Sequence, residues 1–164
     1  MKRFLLALLA AATLGTMCAC GSESGTGTSE TTANGGAASD GKYKIGICQL
    51  AQHPALDAAT EGFIEAVEAG LGKDNVEIIN QNASGESNNC TTIISGFVSD
   101  GVDLILANAT APLQAAASAT KTIPVLGTSI TDYAFALQIS NWNGTVGGNI
   151  SGASDLAPLD QQAA

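Results

Sequence analysis

The sequence predicts an α/β fold: an open parallel sheet sandwiched by helices. From residue 42 onward, short aliphatic runs alternate with longer segments whose apolar residues recur at helical spacing. This alternation is typical of right-handed β-α-β units, which build parallel sheets. The run "VDLILANA" (102–109) is apolar almost throughout, as expected for a strand buried on both faces.

The individual elements follow from these patterns in chain order. Strands are predicted at 42–50, 75–80, 102–109 and 123–130, and a fifth at 135–140. Three helices are predicted: one from Pro54, where a missing N–H costs nothing, to the glycines at 70 and 72, and two more at 89–101 and 111–121. The helix residues expected to face the core are Leu56, Phe63, Ile64, Val67, Leu71, Ile93, Ile94, Phe97 and Val98.

The first residues have the pattern of an export signal. Residues 1–3 carry a net positive charge, and Phe4 to Leu14 form an apolar run too short to span a bilayer. The following "MCACG" resembles the bacterial lipoprotein cleavage box, which makes Cys20 the lipidated first residue of the mature chain. Residues 1–20 are therefore interpreted as a lipoprotein signal peptide, with a plain secretory signal as the alternative. Both interpretations predict an exported protein. The lipoprotein signal peptide also predicts a lipid anchor, with the protein on the outer face of the cytoplasmic membrane or in the periplasm.

Residues 21–41 contain Gly, Ser, Thr, Ala and a few acids, with no large apolar side chain. Such a segment cannot bury a core, so we expect a disordered tether between the anchor and the folded part.

Composition and missing motifs exclude several functions. Six Lys and Arg stand against fifteen Asp and Glu, so the surface repels nucleic acid, which we do not expect as a partner. His53 is the single histidine, and no CxxC motif occurs, so neither a metal nor a cofactor is expected. The catalytic motifs GxSxG, HExxH, Walker A and GxGxxG are absent. Cys48 and Cys90 are interpreted either as buried small hydrophobes or as a disulfide pair.

The chemistry is expected beyond the carboxyl ends of the strands, where open parallel sheets bind ligands. Those ends read Gln49–Pro54, Asn80–Gly85, Asn108–Thr110 and Gly127–Ser129, all rich in small polar residues. Helix N-termini with hydroxyl groups there form a site for a carboxylate or phosphate, and we expect Thr110 to cap its helix. Ordinary helix capping without a ligand is the alternative. Asp132 and Asp155 are candidate partners for a ligand ammonium group.

Several segments in order resemble a known family. They are "IGICQLAQHPALDAATEGF", "NASGESNNC", "DLILANATAPLQAAA", "IPVLGTSITDYA" and "GTVGGNISGASDLAPLDQQAA". Together they are similar to the substrate-binding lipoproteins of ABC importers, in the group for tryptophan/tyrosine-type amino-acid uptake. The resemblance implies a type I periplasmic-binding-protein fold, a ligand held in a cleft between two lobes, an ABC permease as partner, and no catalysis. It implies ligand contacts around Gln49, His53, Asn82, Ser84, Ala109, Thr110, Thr128, Ser129 and Asp132.

The resemblance also predicts how the chain is divided. Residues 42–148 are expected to form the N-terminal α/β lobe, and residues 149–164 a hinge crossover and the start of a truncated second lobe, with a helix opening at Pro158. The chain is thus expected to be the N-terminal part of a longer protein and to bind ligand weakly or not at all by itself, because half the cleft wall is missing.

Two other functions compete with an amino-acid receptor. A sugar receptor of the same fold would usually show more aromatic residues, and Trp142, Tyr133 and Phe135 are the few candidates for stacking on a sugar ring. An exported α/β enzyme whose catalytic residues lie in missing sequence is the third possibility.

Overall fold

The structure is a computed structural model that describes residues 41–155. The predicted signal peptide, the lipidation at Cys20, residues 21–40 of the tether and the helix opening at Pro158 lie outside the described residues.

A five-stranded, fully parallel sheet forms the centre of the fold, in the order β2-β1-β3-β4-β5. The strands are β1 (Tyr43–Gln49), β2 (Val76–Asn82), β3 (Leu104–Asn108), β4 (Val125–Ile130) and β5 (Ile150–Ser154). Helices flank the sheet, so the predicted fold class is confirmed. The four strands predicted between residues 42 and 130 are present.

The helices are α1 (Pro54–Leu71), α2 (Ser87–Ser99), α3 (Thr110–Ala119) and the short α4 (Tyr133–Ala136), with one 3-10 turn at Lys73–Asn75. His53 caps the start of α1, and α1 ends at Gly72, whose φ of 86° is readily adopted by glycine. These bounds fit the expected start at Pro54 and the stop at the glycines.

The core has two layers, one on each side of the sheet. The larger layer lies under α2, α3 and α4, where Ile94, Phe97 and Leu113 are almost completely buried. The Phe97 ring fills the space that a side chain at Gly46 would need, so β1 and α2 approach closely there. On the opposite face, Ile47 packs with residues of α1. This smaller layer also contains Ile45, Leu106, Phe63, Ile64 and Val67.

Most of the helix residues expected to face the core do so. Ile93, Ile94 and Phe97 are buried. The half-buried ones are Leu56, Phe63, Ile64, Val67 and Val98. Leu71 was also expected inward but is 43% exposed, because it is the last residue of α1, where the helix ends beyond the core.

The strand predicted at 135–140 is wrong. Its first residues belong to α4, in which Tyr133 and Ala136 are buried at helical spacing and Asp132 caps the first turn. The fifth strand is instead β5, within the segment predicted as the hinge crossover and the start of a second lobe (149–164), and it pairs with β4. The crossover itself stays a prediction.

Candidate functional site

Four polar side chains lie in one row across the carboxyl ends of four neighbouring strands. The backbone register pairs Asn82 of β2 with Gln49 of β1, Gln49 with Asn108 of β3, and Asn108 with Thr128 of β4. Paired residues of parallel strands project to the same face of a sheet. The row therefore lies on the face that carries α1.

The centre of this row coincides with the point where the chain changes direction in the sheet. The chain runs from β1 outward to β2 and then crosses to β3 on the other side of β1. In open α/β sheets, ligands bind at such a switch point, outside the carboxyl ends of the strands. Gln49 and Asn108 flank it, and both side chains are buried, with 4% and 0% of their surface exposed.

Buried hydrogen bonds connect the row to α1. The Asn108 amide nitrogen donates to the hydroxyl oxygen of Thr60 (3.0 Å) and to the carbonyl oxygen of Leu56 (2.7 Å). The Thr60 hydroxyl in turn donates to the Gln49 amide oxygen at 2.7 Å, and the Gln49 nitrogen donates to the Asp57 carboxylate at 2.6 Å. This chain of donors, from Asn108 to Asp57, ties β1 and β3 to the first turns of α1.

A cavity of about 740 Å³ opens at the carboxyl ends of β1 and β2. It is lined by Gln49, Ala51, Gln52, Asp57, Asn80, Asn82 and Ser84. Three predicted ligand residues, Gln49, Asn82 and Ser84, are thus brought together. Asp57 is the single charged residue in this lining, and sequence reasoning missed it, because an acid beside the apolar stripe of a helix is usually solvated.

Strained backbone marks three of the loops at this edge. Ser84, Ala109 and Ser129 have φ values of 56°, 112° and 58°, in a region that residues other than glycine rarely adopt. They follow β2 and β3 and lie at the end of β4. Such strain persists where the surrounding structure enforces it, and it concentrates at ligand sites.

Thr110 does not cap its helix as expected. Ala109 occupies the cap position, and within residues 41–155 no side chain caps the first turn of α3. Thr110 is the first helical residue, since the backbone of Ala109 turns sharply and donates its N–H to the Thr128 carbonyl oxygen at 3.0 Å. The first turn of α3 consequently offers backbone N–H groups that no side chain of the described residues caps.

The remaining predicted residues divide into two groups. Thr128 and Ser129 are half-buried at the end of β4, near the start of α3 and outside the cavity lining. His53 and Asp132 act as helix caps: the His53 Nδ1 accepts from the Ala55 N–H at 3.2 Å, and the Asp132 carboxylate accepts from the Phe135 N–H at 3.0 Å. One Asp132 oxygen is thereby occupied by α4.

The two cysteines lie beneath this edge as buried free thiols. Burial, together with the neighbouring Cys90, raises the pKa of Cys48 to about 12. Burial also raises the pKa of Cys90. Both thiols are therefore protonated and unreactive at neutral pH.

Residues 41–155 contain neither a candidate metal site nor a candidate membrane-spanning helix. No three His, Cys, Asp or Glu side chains converge to hold a metal ion there. Within the same range, no helix combines the length and the hydropathy needed to cross a bilayer.

A sequence model of the ABC transporter substrate binding protein family matches residues 44–164. The chain belongs to this family. The match covers the sheet except for the first residue of β1, and it covers all the loops described above, so the polar row is part of a substrate-binding-protein fold.

Individual family members are similar over the same region. A tyrosine-binding protein of Clostridioides difficile (strain R20291) is 39% identical over 159 residues, which are 96% of this chain and 46% of that protein. A ligand-free, open substrate-binding protein with adhesive properties from Clostridium difficile is 42% identical, with a TM-score of 0.67 over 73% of this chain and 41% of that one. A Streptococcus pneumoniae ABC domain in complex with L-Trp is 36% identical, with a TM-score of 0.66 over the same shares of the two chains.

These substrate-binding proteins are all longer than the chain. It spans about half the length of the curated relative it matches and 41% of the two solved chains. The similarity therefore concerns one part of each relative, and this part contains the sheet and its polar edge.

Proposed function

We propose that the chain belongs to the substrate-binding component of an ABC importer and takes part in capturing an amino acid for delivery to a membrane permease. The observation that carries this proposal is the row of Asn82, Gln49, Asn108 and Thr128, which brings polar groups to the switch point of the sheet beside an open cavity. Relatives named for tyrosine binding and for a complex with L-Trp support an aromatic amino acid as the ligand.

The two halves of an amino acid fit different parts of this edge. Its carboxylate suits the uncapped first turn of α3, where N–H groups, the positive end of the helix dipole and the hydroxyl groups of Thr110, Thr128 and Ser129 favour an anion. On this proposal, the side chain and the ammonium group of the amino acid lie in the cavity at β1 and β2. No covalent chemistry is needed for this role, and we propose none.

We propose further that the chain supplies one of two lobes. The length of the relatives supports this, as does the position of β5 at the edge of the sheet, from which the chain leads toward residues 156–164. On this proposal, residues 149–164 begin the hinge, and the lobes close around the ligand to present it to the permease. Lipidation at Cys20 would hold the exported protein at the membrane surface.

The proposal is tested by calorimetry on the two-lobed protein with amino acids and sugars as ligands. We expect L-tyrosine or L-tryptophan to bind and monosaccharides not to bind. Thr128→Val removes a hydroxyl group at constant shape and should weaken amino-acid binding about tenfold, the loss of one hydrogen bond to a charged group. Thr122→Val, on an exposed residue in the loop before β4, is the matched control. Sugar binding without amino-acid binding would overturn the proposal.

A further inference from the structure

We propose that Asp57 accepts the ammonium group of the ligand and that the buried chain Asn108–Thr60–Gln49 positions its carboxylate for this task. The inference rests on the proposed function and adds to it a residue that determines specificity for ligands carrying a primary ammonium group. Asp57 is the single charged residue in the lining of the cavity at β1 and β2.

One carboxylate oxygen of Asp57 is held in place, and the other is available. Oδ1 accepts the Gln49 amide at 2.6 Å, whereas Oδ2 has no hydrogen-bond partner among residues 41–155. Capping does not account for this arrangement, because His53 already caps α1 with its imidazole. A carboxylate that is fixed at one oxygen and open at the other is suited to receive a donor from the cavity.

The orientation of the Gln49 amide is set by its surroundings. Its nitrogen uses both hydrogens, one toward Asp57 and one toward the Ala51 carbonyl oxygen at 2.8 Å, and its oxygen accepts from Thr60. A reversed amide would turn its oxygen toward two other acceptors. Since Gln49 is 4% exposed and Thr60 3% exposed, water competes little with these bonds.

Acceptors outnumber donors in this chain of side chains. The Asn108 Oδ1 atom is completely buried at the switch point and has no hydrogen-bond partner among the described residues. An unsatisfied buried acceptor is costly, and so is a carboxylate without a counter-charge. A group with several N–H donors and a positive charge matches the open Asp57 oxygen in the cavity lining, and an ammonium group is such a group.

Among the described residues, the protein brings no lysine or arginine to this edge. Lys42 and Lys44 lie at the start of β1, Lys73 follows α1 and contacts Glu68 at 3.7 Å, and Lys121 follows α3. Helices run back across a parallel sheet, so all four lysines lie toward the edge opposite to the cavity. The charge of Asp57 is thus offset by the α1 dipole and, in the complex, by the ligand.

The test compares L-tryptophan with indole-3-propanoate, which has the same ring and carboxylate but no ammonium group. In the two-lobed protein, we expect Asp57→Asn to weaken L-tryptophan binding at least tenfold and to change the affinity for indole-3-propanoate less than twofold. Glu61→Gln is the matched control, because it removes the same charge from an exposed position one turn along α1. Binding is measured by calorimetry after circular dichroism has verified the fold.

The outcomes separate this inference from the proposed function. Equal effects of Asp57→Asn on both compounds, or no effect on either, would overturn the role of Asp57 and leave amino-acid capture standing. Failure of the wild-type protein to bind any amino acid would overturn both. If Asp57→Asn does not fold, the ¹³C resonance of the wild-type Asp57 carboxylate decides: it should shift with L-tryptophan and not with indole-3-propanoate, and the reverse result refutes the assignment.

Discussion

The Tyr133 hydroxyl group donates a hydrogen bond of 2.9 Å to the carbonyl oxygen of Gly127 and lies 3.2 Å from that of Ala153. It thereby joins α4 to both β4 and β5. Tyr133→Phe removes the donor to both carbonyl groups, of which the bond to Gly127 is buried, and we expect the free energy of unfolding to fall by about 1–2 kcal/mol. Chemical denaturation measures the change. Tyr43→Phe, at a position that is 51% exposed, is the control and should have almost no effect; equal losses in both variants would refute the role of the hydroxyl.

Gly152 leaves room for this hydroxyl. A side chain at position 152 would collide with the Tyr133 oxygen and with the backbone of Gly127, and the φ of Gly152, 155°, also disfavours other residues. We expect Gly152→Ala to destabilise the protein by about 2 kcal/mol or more and to speed hydrogen exchange of the β5 amides.

Gly62→Ala provides the opposite case. Nothing lies within 4 Å of an added methyl group there, and the position is inside α1, so this variant should stabilise the protein by about 0.5–1 kcal/mol. A stabilising Gly152→Ala variant would contradict the close approach of β4 and β5 at Tyr133.

Thr60→Val tests the buried chain independently of any ligand. The substitution keeps the shape of the side chain but removes the donor to Gln49 and the acceptor for Asn108. We expect a loss of about 1–3 kcal/mol of unfolding free energy. Thr92→Val alters an exposed hydroxyl that bonds to its own helix at Asn88, and it should change stability by less than about 0.5 kcal/mol. The idea fails if the two variants cannot be distinguished.

Stability should decrease in alkaline solution because of Cys48. Burial and the neighbouring Cys90 together raise the pKa of its thiol from 9.0 to about 12. Between these pH values the unfolded chain releases the proton and the folded chain keeps it, so the unfolding free energy falls as pH rises. Below pH 9 the contribution is constant. The fall is at most about 1.4 kcal/mol per pH unit.

Denaturation curves at pH 8, 9 and 10 measure this effect. Cys48→Ala should show a shallower decline than the wild-type protein, and parallel declines would argue against the raised pKa. Alkylating reagents should react with the folded protein slowly at pH 8 and rapidly after denaturation.

The chain by itself should bind amino acids weakly. The cavity at β1 and β2 is open, and a ligand there would bury only part of its surface without a second lobe. We expect calorimetry to show no micromolar binding of L-tyrosine or L-tryptophan to residues 42–164, while the two-lobed protein binds one of them. Micromolar affinity of the short chain would contradict this.

The spacing of apolar residues in the sequence predicted the sheet. The strands between residues 43 and 130, and the helices between them, bury apolar side chains that recur at regular spacing. It failed at β5, whose sequence "ISGAS" has one large apolar residue and is mostly exposed. That strand forms through backbone pairing with β4 and through the fit of Gly152 to Tyr133, and neither leaves a pattern in the local sequence. The apolar residues of "FALQIS" favoured a strand there, but the Asp132 cap and tertiary burial of Tyr133 and Ala136 produce a helix.

The site was predicted in part for a similar reason. Strand ends are visible in sequence, so Gln49, Asn82 and Thr128 were found. The partners of Gln49 were not, because Asp57 and Thr60 belong to a helix whose rotation about its axis depends on the packed core. The prediction that Thr110 caps α3 was wrong because the backbone of Ala109 adopts a positive φ that alanine rarely takes.

The row at positions 82, 49, 108 and 128 is fixed by backbone hydrogen bonds between strands about 4.8 Å apart, whatever side chains the row carries. Gln49 and Asn108 are embedded in the interior, whereas Asn82 is exposed and Thr128 half-exposed. The side chains at positions 82 and 128 can therefore be replaced without changing the backbone that holds the row. A library randomised at positions 82 and 128 would sample new recognition chemistries while the spacing between them stays constant.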